Sequence, residues 1–396
     1  MKTYALFCEI ESPFILSSTR GTGHLLSGAD HIPGTTLRGA LAGLFNKQDF
    51  DENKPAWRIF AQDEIHFAPL YPTSKRILSR PVPLSAISCK FEPGFSGDNK
   101  DGVLDALVAD PPFPPCPMAN CRAPTEGFTG YYCYTRGKMS SIRPQQRRVA
   151  HTAISQQRQV ADSGNLYTYE ALDTYAVMLS ERKPVLKKQL LGGLLRTKDS
   201  GLKDAINKKL EEANWIVRIG KAKSRGAGKL KVEEIREMDD PSRRMPLEQR
   251  LEGLNERAKD VFKCPGDLFF SITLETDAIL LDPWLRYRKT VDMEDLADVL
   301  KVPALKAFTI HRSFSSVHTV SGWNGSIGLP REDELSVRKG SCFLYHAKAQ
   351  GSFSDEVMQA LEQFEQEGIG ERKAEGYGRL TVSDPFHWER KGGQQR

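Results

Sequence analysis

The chain has 396 residues and a net charge of +5, from 56 lysines and arginines against 51 acids. That length is too great for one small core and allows two domains, and the apolar and charged fractions are those of an ordinary soluble protein. No run approaches the roughly eighteen apolar residues of a membrane span, and seven scattered cysteines fit a reducing cytoplasm better than a disulfide scaffold.

The chain opens with MKTYALFCEIESPFIL, where Glu9 and Glu11 interrupt the apolar run and no cleavage site follows. A strand is expected here, and a signal peptide is not. STRGTGHLLSGADHIPG then reads as a loop carrying His24, Asp30 and His31. In HIPGTTLRGALAGLF, Pro33 and Gly34 break the strand and Thr35 or Thr36 offers a cap. Leu37, Leu41 and Leu44 supply the apolar stripe of a first helix. A long insertion follows, at about residues 90–165, whose PPFPPCPMANCRAP core is too proline-rich for regular structure. From Arg136 to Arg158 there are six basic residues and no acid.

The first half ends with a helix-like segment, LKDAINKKLEEAN, and then RIGKAKSRGAGKLKV, residues 218–232, with three glycines and six basic residues. Its unopposed cations would repel one another unless an anion or solvent sits among them. Residues 237–265, charged and broken by Pro241, Pro246 and Pro265, read as a linker with one short helix. The second half repeats the plan. GDLFFSITLETDAILL is its opening strand, VDMEDLADVL its first helix, and FTIHRSFSSVHTV and SCFLYHAK its next strands. The helical FSDEVMQALEQFEQE then leads into GIGERKAEGYGRLTV. Gly370, Gly376 and Gly378 match Gly220, Gly226 and Gly228, each shifted by 150 positions.

The expected fold is α+β: two domains of β-α-β-β-α-β order, which is ferredoxin-like and related to the RRM fold, each ending in a glycine-rich loop and strand. The boundaries are residues 1–236 with the insertion, the linker 237–265, and 266–396. Each glycine block follows a helix and precedes a strand, the reverse of a Rossmann fingerprint, and no Gly-Lys-Ser/Thr ends a G-x4 spacing as in a Walker loop, so a nucleotide cofactor is not expected. The stacking signature of an RRM is also absent, and LFCEI and LFFSI read as buried, which disfavours a binder that uses its sheet face.

A glycine loop ahead of the last strand of a ferredoxin-like unit resembles the RAMP superfamily of CRISPR-associated proteins. The resemblance extends to IPGTTLRGALAGLF, to RVAHTAISQQRQVADSGNLYTYEAL and to both glycine loops, with GIGERKAEGYGR the most specific piece. Two such halves and a cysteine-bearing insertion after SAISCK look most like the Csx-ten type, the Cas-five-like subunit of type III-D effector complexes. That resemblance implies a non-catalytic subunit in antiviral defence that holds the 5′ tag of the CRISPR RNA. It would meet the large polymerase-like subunit and the first of the backbone RAMP subunits, with no membrane partner.

The residues that such a task would use are Gly220, Lys221, Lys223, Arg225, Gly226 and Gly228 in the first loop, and Arg372, Lys373, Gly376, Tyr377 and Gly378 in the second. Arg147, Arg148, His151 and Thr152 in the returning part of the insertion offer further contacts, and Arg38 on the first helix is a phosphate candidate. Cys89, Cys116, Cys121 and Cys133 are candidate ligands for one structural zinc, with His151 as a substitute for Cys133. The alternative function is a metal-independent RAMP endoribonuclease that processes precursor RNA with His24 and His31. Asp30 is a weaker candidate for target cleavage. No HD pair or GGDD motif is present.

Overall fold

The computed structural model describes residues 1–16, 25–95, 102–110, 116, 121, 123–135, 138–154, 158, 161–180, 183–238, 245–325, 327–348 and 351–389. It is a mixed α/β structure with several antiparallel sheets, and its contacts divide the chain into two units. The first comprises Met1–Ser79, Arg143–Met238 and Ser321–Glu332; the second comprises Arg80–Ile142, Asp239–Val320 and Asp333–Arg396.

In the first unit, strand β1 (Lys2–Ile10) sends Tyr4, Leu6, Cys8 and Ile10 into one core and Ala5 and Phe7 into another, the alternation a strand imposes. Helix α1 (Gly34–Ala42) buries Leu37 and Leu41 in the first of these cores. Pro33 occupies its N-cap and no side chain caps it, so the threonines at 35 and 36 lie inside the helix. Strands β2 (Ile65–Phe67) and β3 (Tyr71–Thr73) follow, then a long hairpin of β4 (Gln146–Ile154) and β5 (Ala161–Leu172). Strand β6 (Leu190–Thr197) leads to α2 (Ser200–Glu212), β7 (Ile216–Arg218) and β8 (Lys229–Glu237).

The Asp199 side chain caps α2 by accepting the Gly201 N–H at 2.8 Å, and Leu202, Ile206 and Leu210 form its buried stripe. The principal sheet runs β7–β8–β1–β6–β2, with β3 also on β6, and every pairing is antiparallel. Both helices share the core that receives Leu6 and Cys8.

The second unit repeats this order. Helix α3 (Leu247–Phe262) precedes β9 (Asp267–Leu274), α4 (Met293–Leu300), β10 (Thr309–Phe314), β11 (Cys342–Lys348), α5 (Asp355–Glu367) and β12 (Leu380–Val382). The sheet order is β10–β11–β9–β12, again wholly antiparallel. One face packs Phe270, Ile272, Phe343 and Tyr345 against α4 and α5 through Met293, Ala297, Leu361 and Phe364. The other face, with Phe269, Cys342 and Leu344, meets Leu254 and Ala258 of α3 together with Leu107 and Val108.

Two boundaries differ from those read in the sequence. Within the expected linker at 237–265, Leu247–Phe262 forms α3, sixteen residues long and part of the second unit's core, while 239–244 lie outside the described residues. Its Arg250 forms a buried ion pair with Glu365 at 2.7 Å. The insertion expected to interrupt the first domain at about residues 90–165 is divided: Arg143 onward groups with the first unit, and the segment Arg80–Ile142 groups with the second. Its short strands are fixed there by Arg80 on Asp384 at 2.7 Å, Tyr132 on Asp384 at 2.9 Å and Asp105 on His387 at 2.9 Å. Proline punctuation and charge marked both stretches as loops, and neither signal reports which core a segment joins.

Candidate nucleic-acid interface

The two glycine blocks fold alike, residue for residue at the 150-position shift. In each, a short 3-10 turn, Lys223–Arg225 or Lys373–Glu375, sits between left-handed residues: Ala222 and Gly226, or Arg372 and Gly376. Gly220, Gly228, Gly370 and Gly378 also have positive φ, between 74° and 81°. Ile219 donates to the Gly228 carbonyl at 2.8 Å, as Ile369 does to that of Gly378 at 2.9 Å. Each loop is tied to the end of its unit's first strand. Lys221 and Gly228 donate to Ile15 and Pro13; Glu371 and Gly378 donate to Ile279 and Asp277. A hydroxyl completes each tie, Ser12 accepting from the Lys229 N–H and Thr276 from the Arg379 N–H, both at 2.9 Å. Sequence reading missed these hydroxyls, although their spacing of 264 residues is that of Pro13 and Asp277.

The chemistry of the two loops diverges on this shared frame. In the first, Lys221, Lys223, Ser224 and Arg225 are exposed. None of the three cations forms an ion pair among the described residues. Arg218 reaches back to the Lys223 carbonyl at 3.4 Å. The result is a rigid turn that presents uncompensated positive charge, an arrangement suited to a phosphate backbone. In the second loop Arg372 is held by Glu334 and by Glu375, the latter at 2.6 Å, and its guanidinium lies 5.0 Å from the Tyr377 ring centroid. Burial pushes the Tyr377 hydroxyl up to about 12. Arg379 is paired with Glu275. Lys373 alone among that loop's cations forms no ion pair within the described residues. The second loop is therefore less basic than the first, through Glu375 and through Glu334 from outside the loop.

The other candidate residues are dispersed. Arg38 is occupied: its Nη2 donates to the Phe60 carbonyl and to Asp63, each at 2.5 Å, and its guanidinium lies over the Phe60 ring. This ties α1 to the segment behind it through one guanidinium nitrogen, while Nε is buried without a hydrogen-bond partner among the described residues. Arg147, Arg148, His151 and Thr152 all lie on β4, where alternation puts Arg147 and His151 on one face and Arg148 and Thr152 on the other. Arg147 lies 4.0 Å from Asp173 and Arg148 3.0 Å from Glu170, while the His151 ring stands edge-on to Tyr169 at 5.2 Å. His24 lies outside the described residues. His31 is half-buried, with Nδ1 2.7 Å from Asp30 and its ring 5.3 Å from that of Tyr71.

Three of the four candidate metal ligands come together in the second unit. The sulfurs of Cys89, Cys116 and Cys121 all lie within 4.8 Å of one another, with Cys89 and Cys121 4.0 Å apart. Four thiolates at about 2.3 Å from a zinc would stand about 3.8 Å apart, so the trio is close to a ligand set. The Cys89 thiol is lowered in pKa by backbone N–H donation from Glu92, against a burial cost, and further by the N–H of Phe91 and the two neighbouring cysteines. Cys133 does not join them; it lies buried on the strand Tyr131–Thr135, paired with Ser140. His151 belongs to the first unit.

No helix among the described residues is long and apolar enough to cross a membrane. No protein-family model matches the chain, and neither does any curated protein. Among solved structures it is similar to a chain of the type III-B Cmr-beta complex bound to cognate target RNA and AMPPnP, at 10% identity and a TM-score of 0.43, covering 96% of this chain and 99% of that one. It is also similar to Cas6 of Thermus thermophilus, at 9% identity and 0.33, covering 96% and 97%. A third likeness is to a chain of the Csm3–Csm4 subcomplex of the type III-A CRISPR-Cas interference complex, at 12% and 0.35, covering 88% and 97%.

Proposed function

We propose that this chain is a non-catalytic RNA-binding subunit of a type III-D CRISPR effector complex, of the Csx-ten type, which holds the 5′ tag of the CRISPR RNA. One observation carries the reading: a glycine loop built twice on the same hydrogen bonds, with unpaired Lys221, Lys223 and Arg225 exposed on the first copy. In each unit the strand that follows the glycine loop lies beside the first strand, and the first beside the third, with the second at the far edge. This is the order of a ferredoxin-like domain, so we assign two such domains of the RAMP kind. RNA backbone supplies the dense negative charge that the first loop lacks, and a single-stranded tag needs contacts that a rigid loop can give. The large polymerase-like subunit and the backbone RAMP subunits would be its protein partners in the cytoplasm. Histidine-dependent cleavage of precursor RNA is the alternative.

The same reading includes one structural zinc held by Cys89, Cys116 and Cys121, supported by the gathered sulfurs and by the backbone N–H groups directed at Cys89. Bound there, zinc would cross-link Cys89 to Cys116 and Cys121, whose local core among the described residues otherwise holds only Ala123 beside them.

Co-expression with the neighbouring effector genes, purification through this chain and sequencing of the bound RNA tests the function. A uniform CRISPR RNA that starts with a repeat-derived 5′ tag, together with other effector proteins, is the expected result. Precursor RNA shortened to one product by this chain alone would replace it with the ribonuclease, and absence of RNA would remove both.

A further inference from the structure

The loop between β9 and α4 of the second unit presents a tryptophan, a leucine and a tyrosine to solvent. It is a tight turn over Asp282–Leu285, with Pro283 in its second position and the Leu285 N–H donating to the Asp282 carbonyl at 2.9 Å. Leu281 and Tyr287 pair across it. The Asp282 carboxylate, on a residue only 4% exposed, pins the turn from within. Its Oδ1 accepts from the N–H groups of Trp284 and Arg286, both at 2.9 Å, and its Oδ2 from Arg286 Nε at 2.7 Å. Arg288 lies between Asp282 and Asp295, at 3.9 and 3.1 Å.

The consequence is a fixed surface whose one acid is hidden. Trp284 is 73% exposed, Leu285 77% and Tyr287 42%, interleaved with exposed Arg286 and Lys289. The Arg286 guanidinium lies 5.2 Å from the Trp284 ring centroid. Leu285 has φ of 61°, a left-handed position where glycine or asparagine carries less strain. An exposed leucine there, beside an exposed tryptophan, is not accounted for by packing within the unit. The loop also leaves directly from the second glycine loop, whose Glu371 N–H bonds the Ile279 carbonyl at 2.9 Å. Lys373 follows two residues later.

We propose that Trp284–Lys289 is a stacking platform for single-stranded RNA, with Trp284 and Tyr287 taking bases and Arg286 and Lys289 the adjacent phosphates. Alternating aromatic and cationic side chains with no exposed acid are what such a strand requires, and the sharing of a base with a glycine loop makes the platform continuous with that loop. The inference rests on the RNA-binding reading given above.

The test is fluorescence anisotropy of the full chain with a labelled mixed-sequence RNA about eight nucleotides long, within the range of single-strand site sizes. Trp284→Ala should weaken binding about tenfold and Trp284→Phe should keep most of it, because stacking survives in the second variant. Lys221→Ala with Lys223→Ala and Arg225→Ala serves as the control for the RNA-binding reading itself. If the triple variant binds weakly while Trp284→Ala binds like the parent, the platform is wrong and the reading stands. Equal loss in Trp284→Ala and Trp284→Phe would overturn stacking. A parent chain that binds no RNA would overturn both. Unchanged RNA affinity with loss of a co-purifying effector subunit would make the loop a protein contact and refute the proposal.

Discussion

A Cβ placed on Gly228 would stand well under 3.0 Å from the carbonyl oxygen of Ile219, the residue whose N–H bonds to the Gly228 carbonyl. Gly378 and Ile369 stand in the same relation in the second unit. The tightest point of each loop is thus a closure of the loop on itself, with no room for a side chain.

Gly226 provides the contrast, since its φ is 86° but nothing lies within 4 Å of a Cβ built there. Gly226→Ala should cost about 1 kcal/mol, the price of a left-handed alanine, and Gly228→Ala about 3 kcal/mol or more because the backbone itself must move. Urea midpoints of the two variants, compared with the parent, measure the difference. Equal losses would show that steric closure is not what the glycine provides.

The exposed cations of the first loop should appear in the salt dependence of RNA binding. Replacing Lys221, Lys223 and Arg225 by alanine should flatten the plot of log affinity against log salt by up to about 0.7 per phosphate contact removed. Arg372→Ala should leave that slope almost unchanged and lower stability instead, because its guanidinium is already taken by Glu334 and Glu375. Affinities measured across a range of salt concentrations separate the two outcomes, and a slope untouched by the triple change would remove the first loop from the interface.

Metal analysis of the purified chain should find about one zinc per molecule. Cys89→Ser should abolish it and Cys133→Ser should not, since only Cys89 stands with Cys116 and Cys121. Chelation should then loosen the Arg80–Ile142 segment, read as new proteolytic cleavage there. Zinc retained in Cys89→Ser would show that the trio is three reduced thiols.

Acid should unfold the second unit through Asp384. Burial opposes the charge of its carboxylate, but the Arg80 guanidinium, His387 and the Phe386 N–H outweigh this and hold it below the usual carboxylate range. The native state therefore binds fewer protons than the unfolded chain once the pH falls to about 4, and stability is lost from there downward. Asp384→Asn should lower stability at neutral pH and make its decline below about pH 4 shallower. Denaturant unfolding at several pH values checks this, and an unaltered acid slope would refute it.

Much of the architecture was legible because its signals are local. Leu202, Ile206 and Leu210 lie one helical turn apart, Tyr4, Leu6, Cys8 and Ile10 alternate, and the 150-residue spacing of the glycines marks a loop that is built twice. What the sequence did not disclose depends on residues far apart in the chain. Arg38 looked free because its partners, Phe60 and Asp63, carry no helical relation to it. Cys133 looked like a ligand because it was the next cysteine along, whereas strand pairing with Ser140 takes it to another sheet. Trp284 and Leu285 lie just past the run read as the opening strand, and only the turn at Asp282 shows that they face outward.

The clamp between Arg80, Tyr132, Asp105 and the residues Asp384 and His387 has a consequence for biosynthesis. Arg80 meets a partner 304 positions later in the chain, Asp105 one 282 later and Tyr132 one 252 later. On a ribosome the segment Arg80–Ile142 leaves the exit tunnel long before the strand and turn that secure it, whereas the principal sheet of the first unit is complete by Glu237. The principal sheet of the first unit can therefore form during translation while Arg80–Ile142 is still unsecured, and that segment is clamped only when Asp384 and His387 arrive. Truncation just before Asp384 should leave the Arg80–Ile142 segment without its clamp, a substrate for chaperones and proteases in place of a closed second unit.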